Sequence, residues 1–262
     1  NGVNMKKLFF GIAILLSTSM YAGYFKSGDL WYYYSNSSST TVSVTSDQTS
    51  GKYAGLTEIV IPDSVMYNEK TYSVTSISNS AFSGCSAINS ITIPTSVTTI
   101  GSYAFYNCTS LSSIALNDSI KSVDNTAFSG CSSLKSVIWN AKHCADFTSA
   151  PFSQLAVITF GDSVEHIPAY ICNIANKLRT ATIPNSVKSI GTKALNGVET
   201  IYMKGTTPPT LASNDIVNRA AIIVVPDAAL SAYKSSWSPF TKQIISESDL
   251  QQREVTITAN PS

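Results

Sequence analysis

Cysteine is the residue type whose spacing in this chain most directly suggests chemistry. Three similar pentapeptides, AFSGC, AFYNC and AFSGC, place Cys85, Cys108 and Cys131 at intervals of 23 residues. A thiolate on such a turn could act as a nucleophile, but a reactive thiol requires a partly exposed, electropositive setting, and the neighbours here are apolar. Three copies of one site also favour packing over catalysis. We therefore predict that these thiols stack in a core, with a disulfide between adjacent copies as an alternative in an oxidising compartment.

Cys144 is the second candidate, because it stands outside this repeat and follows His143. A Cys–His pair can activate a thiolate. Adjacent residues of an extended chain face opposite sides, however, so His143 cannot easily reach the neighbouring thiol. The other partners nearby are Asp146 and His166, and His166 occupies a polar strand position typical of solvated surface. The pattern does not bring a nucleophile, a base and an oxyanion donor together, so we predict no catalytic residue and no enzyme activity.

The sequence also lacks the motifs that hold metals or cofactors. It contains no Cys-x-x-Cys, no His-x-x-x-His, no EF-hand loop and no glycine-rich phosphate loop after a strand. We therefore expect no metal and no cofactor. Lys and Arg number 17 against 16 Asp and Glu, so no excess charge is present to attract nucleic acid or an anionic membrane.

An Asp-Ser-apolar triplet occurs at 63–65, 118–120 and 162–164. Such a triplet resembles an O-glycosylation acceptor of exported bacterial proteins. The alternative is an Asp or Ser side chain that closes its own turn. Other copies of the repeat hold Thr95 and Asn185 at this position, and turn chemistry accounts for all of them, so we favour the turn.

These residues belong to a periodic framework that must position them. Segments with the pattern apolar-x-x-apolar-x-apolar start 20 to 32 residues apart, at 56–61, 88–93, 111–116, 134–139, 155–160, 178–183, 198–203 and 220–225. Shorter apolar segments follow several of them, at 73–77, 96–100, 119–123, 163–167 and 186–190. Proline often separates the two sets and suits a corner between strands. Each copy therefore predicts a strand, a corner, a short strand and a tight turn, and the copies must stack to bury a continuous core.

Several segments depart from the repeat. The stretch 66–74, with Asn-Glu at its centre, predicts a hairpin insertion, and 140–152 predicts a loop or bulge. The last copies replace AF by AL at 194–195 and by TPPTL at 207–211, which predicts a less regular C-terminal edge. The alternating pattern at 253–262 predicts a new strand.

The residues left for binding are the outward positions of the strands. They are Ser90, Thr92, Ser113, Ala115, Thr159, Thr180, Thr182, Thr200 and Tyr202. Together they predict a broad, uncharged surface rich in hydroxyl groups, which could bind an extended protein or glycan through many weak contacts. For any single position, plain solvated sheet is the alternative. Trp139 replaces a core residue, so we predict that it packs rather than binds.

The fragment LSSIALNDSIKSVDNTAFSGCSSLKSV resembles the BspA-like class of bacterial leucine-rich repeats, and the resemblance extends over about 56–225. The stretches 27–46 and 224–240 resemble the N-terminal β cap and the C-terminal cap of that family. The resemblance implies an α/β-type leucine-rich-repeat solenoid, β-dominated, coiled right-handed and curved, with about eight repeats. The implied division is a signal peptide at 5–22, an N-terminal β cap at 23–55, the repeats at 56–225, a C-terminal cap at 226–248 and a linker with the start of a further β module at 249–262.

The start of the chain supports export. Met5-Lys6-Lys7 precedes the apolar run 8–16, which is too short to span a bilayer and is typical of a signal peptide; an uncleaved anchor is the alternative. We thus expect a secreted or cell-surface protein without a membrane span beyond the signal peptide. The family resemblance implies a non-enzymatic protein that adheres to host or bacterial surface proteins or glycans. A structural spacer within a larger surface protein is the alternative, and no ligand-binding residue is identifiable from the sequence.

Overall fold

A computed structural model describes residues 22–47, 53, 55–175, 177–218 and 220–259, with side chains up to residue 253. The signal peptide predicted at 5–22 lies outside the described residues apart from Ala22. The domain boundaries proposed from the sequence stay predictions.

An antiparallel unit begins the described chain. It consists of β1 (Gly23–Ser27), β2 (Leu30–Tyr34) and β3 (Thr41–Thr45). β1 pairs with β2 and β2 with β3, and β3 then pairs in parallel with β6 (Lys70–Ile77). The ring of Phe25 on its inner face stacks on Tyr67 with centroids 4.2 Å apart. This unit therefore extends one side of the molecule from its N-terminal end.

Two ladders of parallel strands form the body of the protein. The first ladder consists of β4 (Glu58–Val60), β7 (Ser90–Thr92), β9 (Ser113–Leu116), β11 (Ser136–Trp139), β12 (Val157–Phe160), β14 (Thr180–Ile183), β16 (Thr200–Met203), β18 (Ile222–Val225) and β19 (Ile244–Ser246). The second consists of β6, β8 (Thr99–Ile100), β10 (Ser122–Val123), β13 (His166–Ile167), β15 (Ser189–Ile190) and β17 (Thr210–Leu211). Each of the eight segments predicted from the apolar pattern contains a strand of the first ladder. The result is a β-dominated solenoid of about seven turns, which confirms the predicted fold class.

Hydrogen bonding is interrupted along both ladders. In the first ladder β4 pairs with β7. A second sheet consists of β9, β11 and β12, and a third consists of β14, β16, β18 and β19. In the second ladder, the coil between those of β10 and β13 contributes no strand, because residues 140–156 form none. This confirms the loop predicted at 140–152. This loop still follows its neighbour, since the Ala145 amide donates to the Lys121 carbonyl at 2.9 Å.

The predicted hairpin insertion is confirmed. β5 (Ser64–Tyr67) pairs antiparallel with β6, and Tyr67 faces Lys70 across the turn. The two turn residues, Asn68 and Glu69, have φ values of 49° and 62°. Two consecutive left-handed residues form the type of tight turn whose twist matches the right-handed twist of a hairpin.

The core contains a stack of aromatic rings contributed by successive coils. Centroids lie 5.2–5.4 Å apart from one ring to the next in the series Tyr53, Phe82, Phe105, Phe128 and Phe152. All five side chains are buried. Phe105 is nearly parallel to its two neighbours, with interplanar angles of 8° and 6°. The AF dipeptides of the sequence are therefore the inward corners of adjacent coils.

The turn that follows each of these phenylalanines explains the residue before the cysteine. Gly84, Asn107 and Gly130 have φ values of 73°, 56° and 77°. Glycine adopts this left-handed backbone without a steric penalty, and asparagine tolerates it better than most residues. The pentapeptides AFSGC and AFYNC thus encode one turn geometry.

The C-terminal end of the solenoid is covered by short helices. Residues 227–229 and 238–240 form single 3₁₀ turns on either side of α1 (Leu230–Ser236). Two buried aromatic side chains attach this cap to the last coil. The Tyr233 hydroxyl donates to the Gly205 carbonyl at 3.0 Å, and the Trp237 indole N–H donates to the Pro209 carbonyl at 2.9 Å.

The strand predicted at 253–262 is wrong as far as Ala259, because α2 (Glu247–Ala259) occupies this segment. The helix begins with a reciprocal capping box. The Asp249 amide donates to Ser246 Oγ at 3.0 Å, and the Ser246 amide donates to Asp249 Oδ2 at 3.3 Å. Such a cap satisfies amides at the helix start and outweighs the weak alternation that follows. The motif SESD was the signal that the sequence interpretation missed.

Candidate binding surface

The three repeated thiols lie in the core, as predicted, and not in a reactive site. The Cys108 thiol donates to the Phe82 carbonyl at 3.2 Å, and the Cys131 thiol donates to the Phe105 carbonyl at 3.0 Å. Burial raises the pKa of Cys131 to about 11 and raises the pKa of Cys108 further. A thiol that stays protonated is a poor nucleophile. Cys108 and Cys131 are free thiols, and the Cys85 side chain is buried as well.

Cys144 lies in the core, a setting that does not favour an activated thiol. Its side chain is 2% exposed, and burial raises the pKa of its thiol to about 12. The His143 ring lies on the outside, 3.8 Å from a carboxylate oxygen of Glu165. The two side chains therefore face opposite ways, as the alternation along an extended chain requires.

Cys172 is the fifth cysteine, and its position was missed by the sequence reasoning. Its amide donates to the Ala194 carbonyl at 2.9 Å, as the Phe105 amide donates to the Ala127 carbonyl in an earlier coil. Cys172 thus occupies the position of the phenylalanine in AF and not the position of the repeated cysteine. It is fully buried, and burial raises the pKa of its thiol.

His166 is a bridging residue rather than a freely solvated one, which corrects the sequence prediction. Its Nδ1 lies 2.8 Å from Ser189 Oγ, and its Nε2 lies 2.8 Å from Asp146 Oδ1. The same carboxylate oxygen accepts the Ala169 amide at 2.7 Å. A Ser-His-Asp series can activate a serine hydroxyl, but acyl transfer also requires donors that stabilise the oxyanion formed on attack. The Ser189 amide instead donates to the Glu165 carbonyl at 3.3 Å, so the series serves to clamp adjacent coils.

Glu165 connects the same coils through charge. Its carboxylate lies 2.6 Å from the Lys188 ammonium and 3.0 Å from the Lys142 ammonium. Hydrogen bonds from Lys188 and then Lys142 lower the pKa of Glu165 to about 2. The carboxylate is thus committed to its two lysine partners.

The three Asp-Ser-apolar triplets differ in their surroundings. Ser64 and Ser163 are exposed, whereas Ser119 is half-buried. The Ser119 hydroxyl donates to Asp118 at 3.3 Å, and the Ser163 hydroxyl donates to the Asn140 carbonyl of the preceding coil at 3.1 Å. The bond of Ser119 is local and supports the turn interpretation for 118–120, whereas the bond of Ser163 joins adjacent coils.

The outward positions of the first ladder form a continuous face. The predicted residues Ser90 to Thr182 of the set named above are exposed, and Thr200 and Tyr202 are half-buried. In the middle of the face Ser113, Ser136 and Val157 are aligned across three strands. Trp139 points inward and is fully buried against Phe147, with ring centroids 5.9 Å apart, so its predicted packing role is confirmed.

Exposed aliphatic side chains on this face were missed by the sequence reasoning. Val60, Ile138 and Val157 are 62%, 44% and 53% exposed. They occupy the same outward positions of the repeat as the predicted hydroxyl residues, so the pattern itself was the signal. The face is therefore a mixture of hydroxyl and aliphatic groups.

A groove crosses the face where β12 and β14 stand next to each other without a ladder of hydrogen bonds. Its volume is about 440 Å³. The residues on its walls include Val157, Thr159, Asp162, Thr180, Thr182 and Lys204. The charged residues of this lining are Asp162 and Lys204, and the Lys204 ammonium lies 3.7 Å from Glu247 Oε1. The groove can hold an extended, largely uncharged segment.

Two further properties concern the described part of the chain. It contains no group of three His, Cys, Asp or Glu side chains that could hold a metal ion. None of its helices has the length and apolar character needed to cross a membrane.

Stacked coils that each contribute one short parallel strand and inward aliphatic or aromatic side chains to a continuous core are the architecture of a leucine-rich-repeat protein. The family described as "BspA type Leucine rich repeat region" matches the chain in six copies, over 47–171 and 75–202. The chain belongs to this family. A comparison with the curated proteins found no match.

The chain is also similar to solved leucine-rich-repeat structures. One from Bacteroides ovatus is 20% identical, with 77% of this chain and 70% of that chain covered and a TM-score of 0.43. A leucine rich cell surface protein from Faecalibacterium prausnitzii is 18% identical, with coverages of 86% and 95% and a TM-score of 0.39. One from Eubacterium ventriosum is 21% identical, with coverages of 79% and 49% and a TM-score of 0.49.

Proposed function

We propose that the protein is a secreted or cell-surface binding protein without enzyme activity, and that the outward face of its first ladder binds an extended protein or glycan segment of another surface. The observation that carries this proposal is the groove between β12 and β14 within a face of hydroxyl and aliphatic side chains. The face has few of the aromatic and arginine side chains that dominate tight interfaces, so its affinity rests on many weak contacts.

The groove favours an extended ligand for a geometric reason. Thr180 and Thr182 form one wall and Val157 and Thr159 the other, so hydroxyl and methyl groups face each other along its length. Hydroxyl groups can donate to and accept from a peptide backbone or a sugar, and the aliphatic groups cover apolar surface. Among the described residues of the groove the charges are one Asp and one Lys, so it has no excess positive charge to select an anionic ligand such as nucleic acid.

The alternative of a structural spacer rested on the strand pattern at 253–262. Helix α2 replaces that pattern up to Ala259, so this observation no longer supports the alternative.

Binding of the purified protein to immobilised extracellular-matrix proteins and to a glycan array tests the proposal. We expect binding that Thr159→Arg and Thr182→Arg each weaken, because a long charged side chain blocks the groove. Thr99→Arg is the matched control, since Thr99 is an exposed strand residue of the second ladder. Absence of binding to every matrix protein and glycan, or an equal loss in Thr99→Arg, would contradict the proposal.

A further inference from the structure

The two ladders are capped differently at their N-terminal end. The antiparallel unit β1 to β3 extends the second ladder, because β3 pairs with β6. The first ladder begins at β4, which pairs with β7 and has no other strand partner among the described residues. The free edge of β4 therefore remains at the N-terminal end of the first ladder.

The backbone groups on this free edge are identified by the bonds on the other edge. The Thr57 carbonyl accepts the Asn89 amide at 2.8 Å, and the Ile61 amide donates to the Thr92 carbonyl at 3.1 Å. Successive residues of a strand direct their N–H and C=O groups to alternate edges, so Thr57, Ile59 and Ile61 serve β7. The backbone N–H and C=O groups of Glu58 and Val60 consequently point away from β7, and no described residue bonds to them.

A cleft of about 390 Å³ lies along this edge. Leu30, Tyr32 and Ile59 contribute apolar walls, and the turn between β1 and β2 forms the far side. The charged residues in its described lining are Asp29 and Glu58, and both side chains are exposed. The cleft thus combines backbone groups to which no described residue bonds with two negative charges.

We propose that the free edge of β4 is a docking site for an extended segment of a partner protein, which adds a strand beside β4 and places a Lys or Arg side chain between Asp29 and Glu58. Main-chain hydrogen bonds to Glu58 and Val60 supply affinity, and the two carboxylates supply the preference for a basic residue. The site is separate from the groove between β12 and β14, so it goes beyond the function proposed above.

Other occupants fit this edge less well. The two carboxylates disfavour phosphate and other anions. Pairing with the opposite end of a second copy is disfavoured because helix α2 packs against β19, the last strand of the first ladder. Proteins also protect edges by making them short and charged, and β4 has three residues and one acidic side chain. The experiment must therefore distinguish a docking site from an edge that is merely protected against pairing.

The test uses three synthetic peptides of alternating Val and Thr, about six residues long like a typical strand, with Lys, Gln or Glu at one central outward position. Binding to the whole protein is measured by fluorescence anisotropy. We expect the Lys peptide to bind best, and at least about tenfold more tightly than the Glu peptide. Val60→Pro removes the outward amide and leaves the bonds to β7 in place, so it should weaken the Lys peptide by about tenfold or more. Val60→Thr keeps the amide and is the matched control.

The charge component has its own variants. Asp29→Asn with Glu58→Gln should remove the preference for Lys over Gln while some binding of all three peptides persists. Circular dichroism and the melting temperature establish that every variant is folded. The proposal is overturned if none of the peptides binds at about 1 mM, an affinity near the weak limit of specific recognition, or if folded Val60→Pro binds as well as the unchanged protein.

Discussion

Replacement of Phe105 by alanine should produce one of the largest losses of stability available in this solenoid. The ring is fully buried, and its centroid lies 5.4 Å from that of Phe82 and 5.2 Å from that of Phe128. Truncation of a buried phenylalanine costs about 3–5 kcal/mol. Since two parallel ring pairs are lost together, each worth about 0.5–1.5 kcal/mol, we expect a loss near the upper end, about 4–5 kcal/mol.

Phe152→Ala provides a graded comparison. Phe152 is buried as well, but its one ring neighbour in the stack is Phe128, at 5.3 Å with an interplanar angle of 35°. The free energy of unfolding should therefore fall by about 0.5–1.5 kcal/mol less than in Phe105→Ala, the value of one ring pair. Ser113→Ala, on the exposed strand face, should change it by less than about 0.5 kcal/mol.

Urea unfolding followed by tryptophan fluorescence and circular dichroism measures all three variants. Trp31 lies in the N-terminal unit, and Trp139 and Trp237 are buried in the middle and at the C-terminal end, so the fluorescence reports on all three regions. Equal effects of Phe105→Ala and Ser113→Ala would refute the assignment of the inward face. Equal effects of Phe105→Ala and Phe152→Ala would refute the contribution of the ring stack.

Three other predictions follow from the turns, the thiols and the charges. Gly130→Ala and Gly28→Ala should each lower the free energy of unfolding by about 1–2 kcal/mol, because both glycines have positive φ (77° and 57°). The loss should be larger for Gly130→Ala, since only the new Cβ at position 130 meets another side chain, that of Asn107. Chemical denaturation compares the two variants. Cys144 should resist a maleimide in the native protein at pH 8 and react once the protein is unfolded in urea, because burial raises its pKa to about 12; rapid native labelling would contradict this. Glu165, whose pKa falls from 4.5 to about 2 on folding, contributes stability above pH 4.5 that is lost as the pH falls toward 2. In Glu165→Gln the melting temperature should therefore fall less steeply as the pH is lowered between these two values. A slope equal to that of the unchanged protein would contradict the pairing of Glu165 with its lysines.

The fold could be predicted from the residues that recur in each copy, because each of them meets a physical requirement of every coil, such as a buried strand face. The alternation in segments such as 111–116 indicates one buried face, and Asn68 with Glu69 indicates a left-handed turn. The AF dipeptides predicted the inward corners, although their geometry as a ring stack was not evident. Repetition made each of these interpretations self-consistent.

The features that could not be predicted depend on which coil lies next to which. Asp146, His166 and Ser189 come together from three different coils, and the sequence shows only their separations. Cys172 was not placed because Ile171 and Cys172 replace the AF dipeptide that marks the turn elsewhere. The edge of β4 is free because the N-terminal unit joins the second ladder and not the first. The amino-acid composition of that unit does not indicate which ladder it joins.

Many side-chain bonds between coils join residues separated by one repeat. Asn79 with Ser102, Asn125 with Thr148, and Glu165 with Lys188 are each 23 residues apart. An extra residue between the two partners of such a pair changes their separation, whereas insertion or loss of a complete 23-residue unit leaves the remaining partners aligned. Duplication of a whole coil is therefore a change that lengthens the molecule while keeping the bonds between its coils.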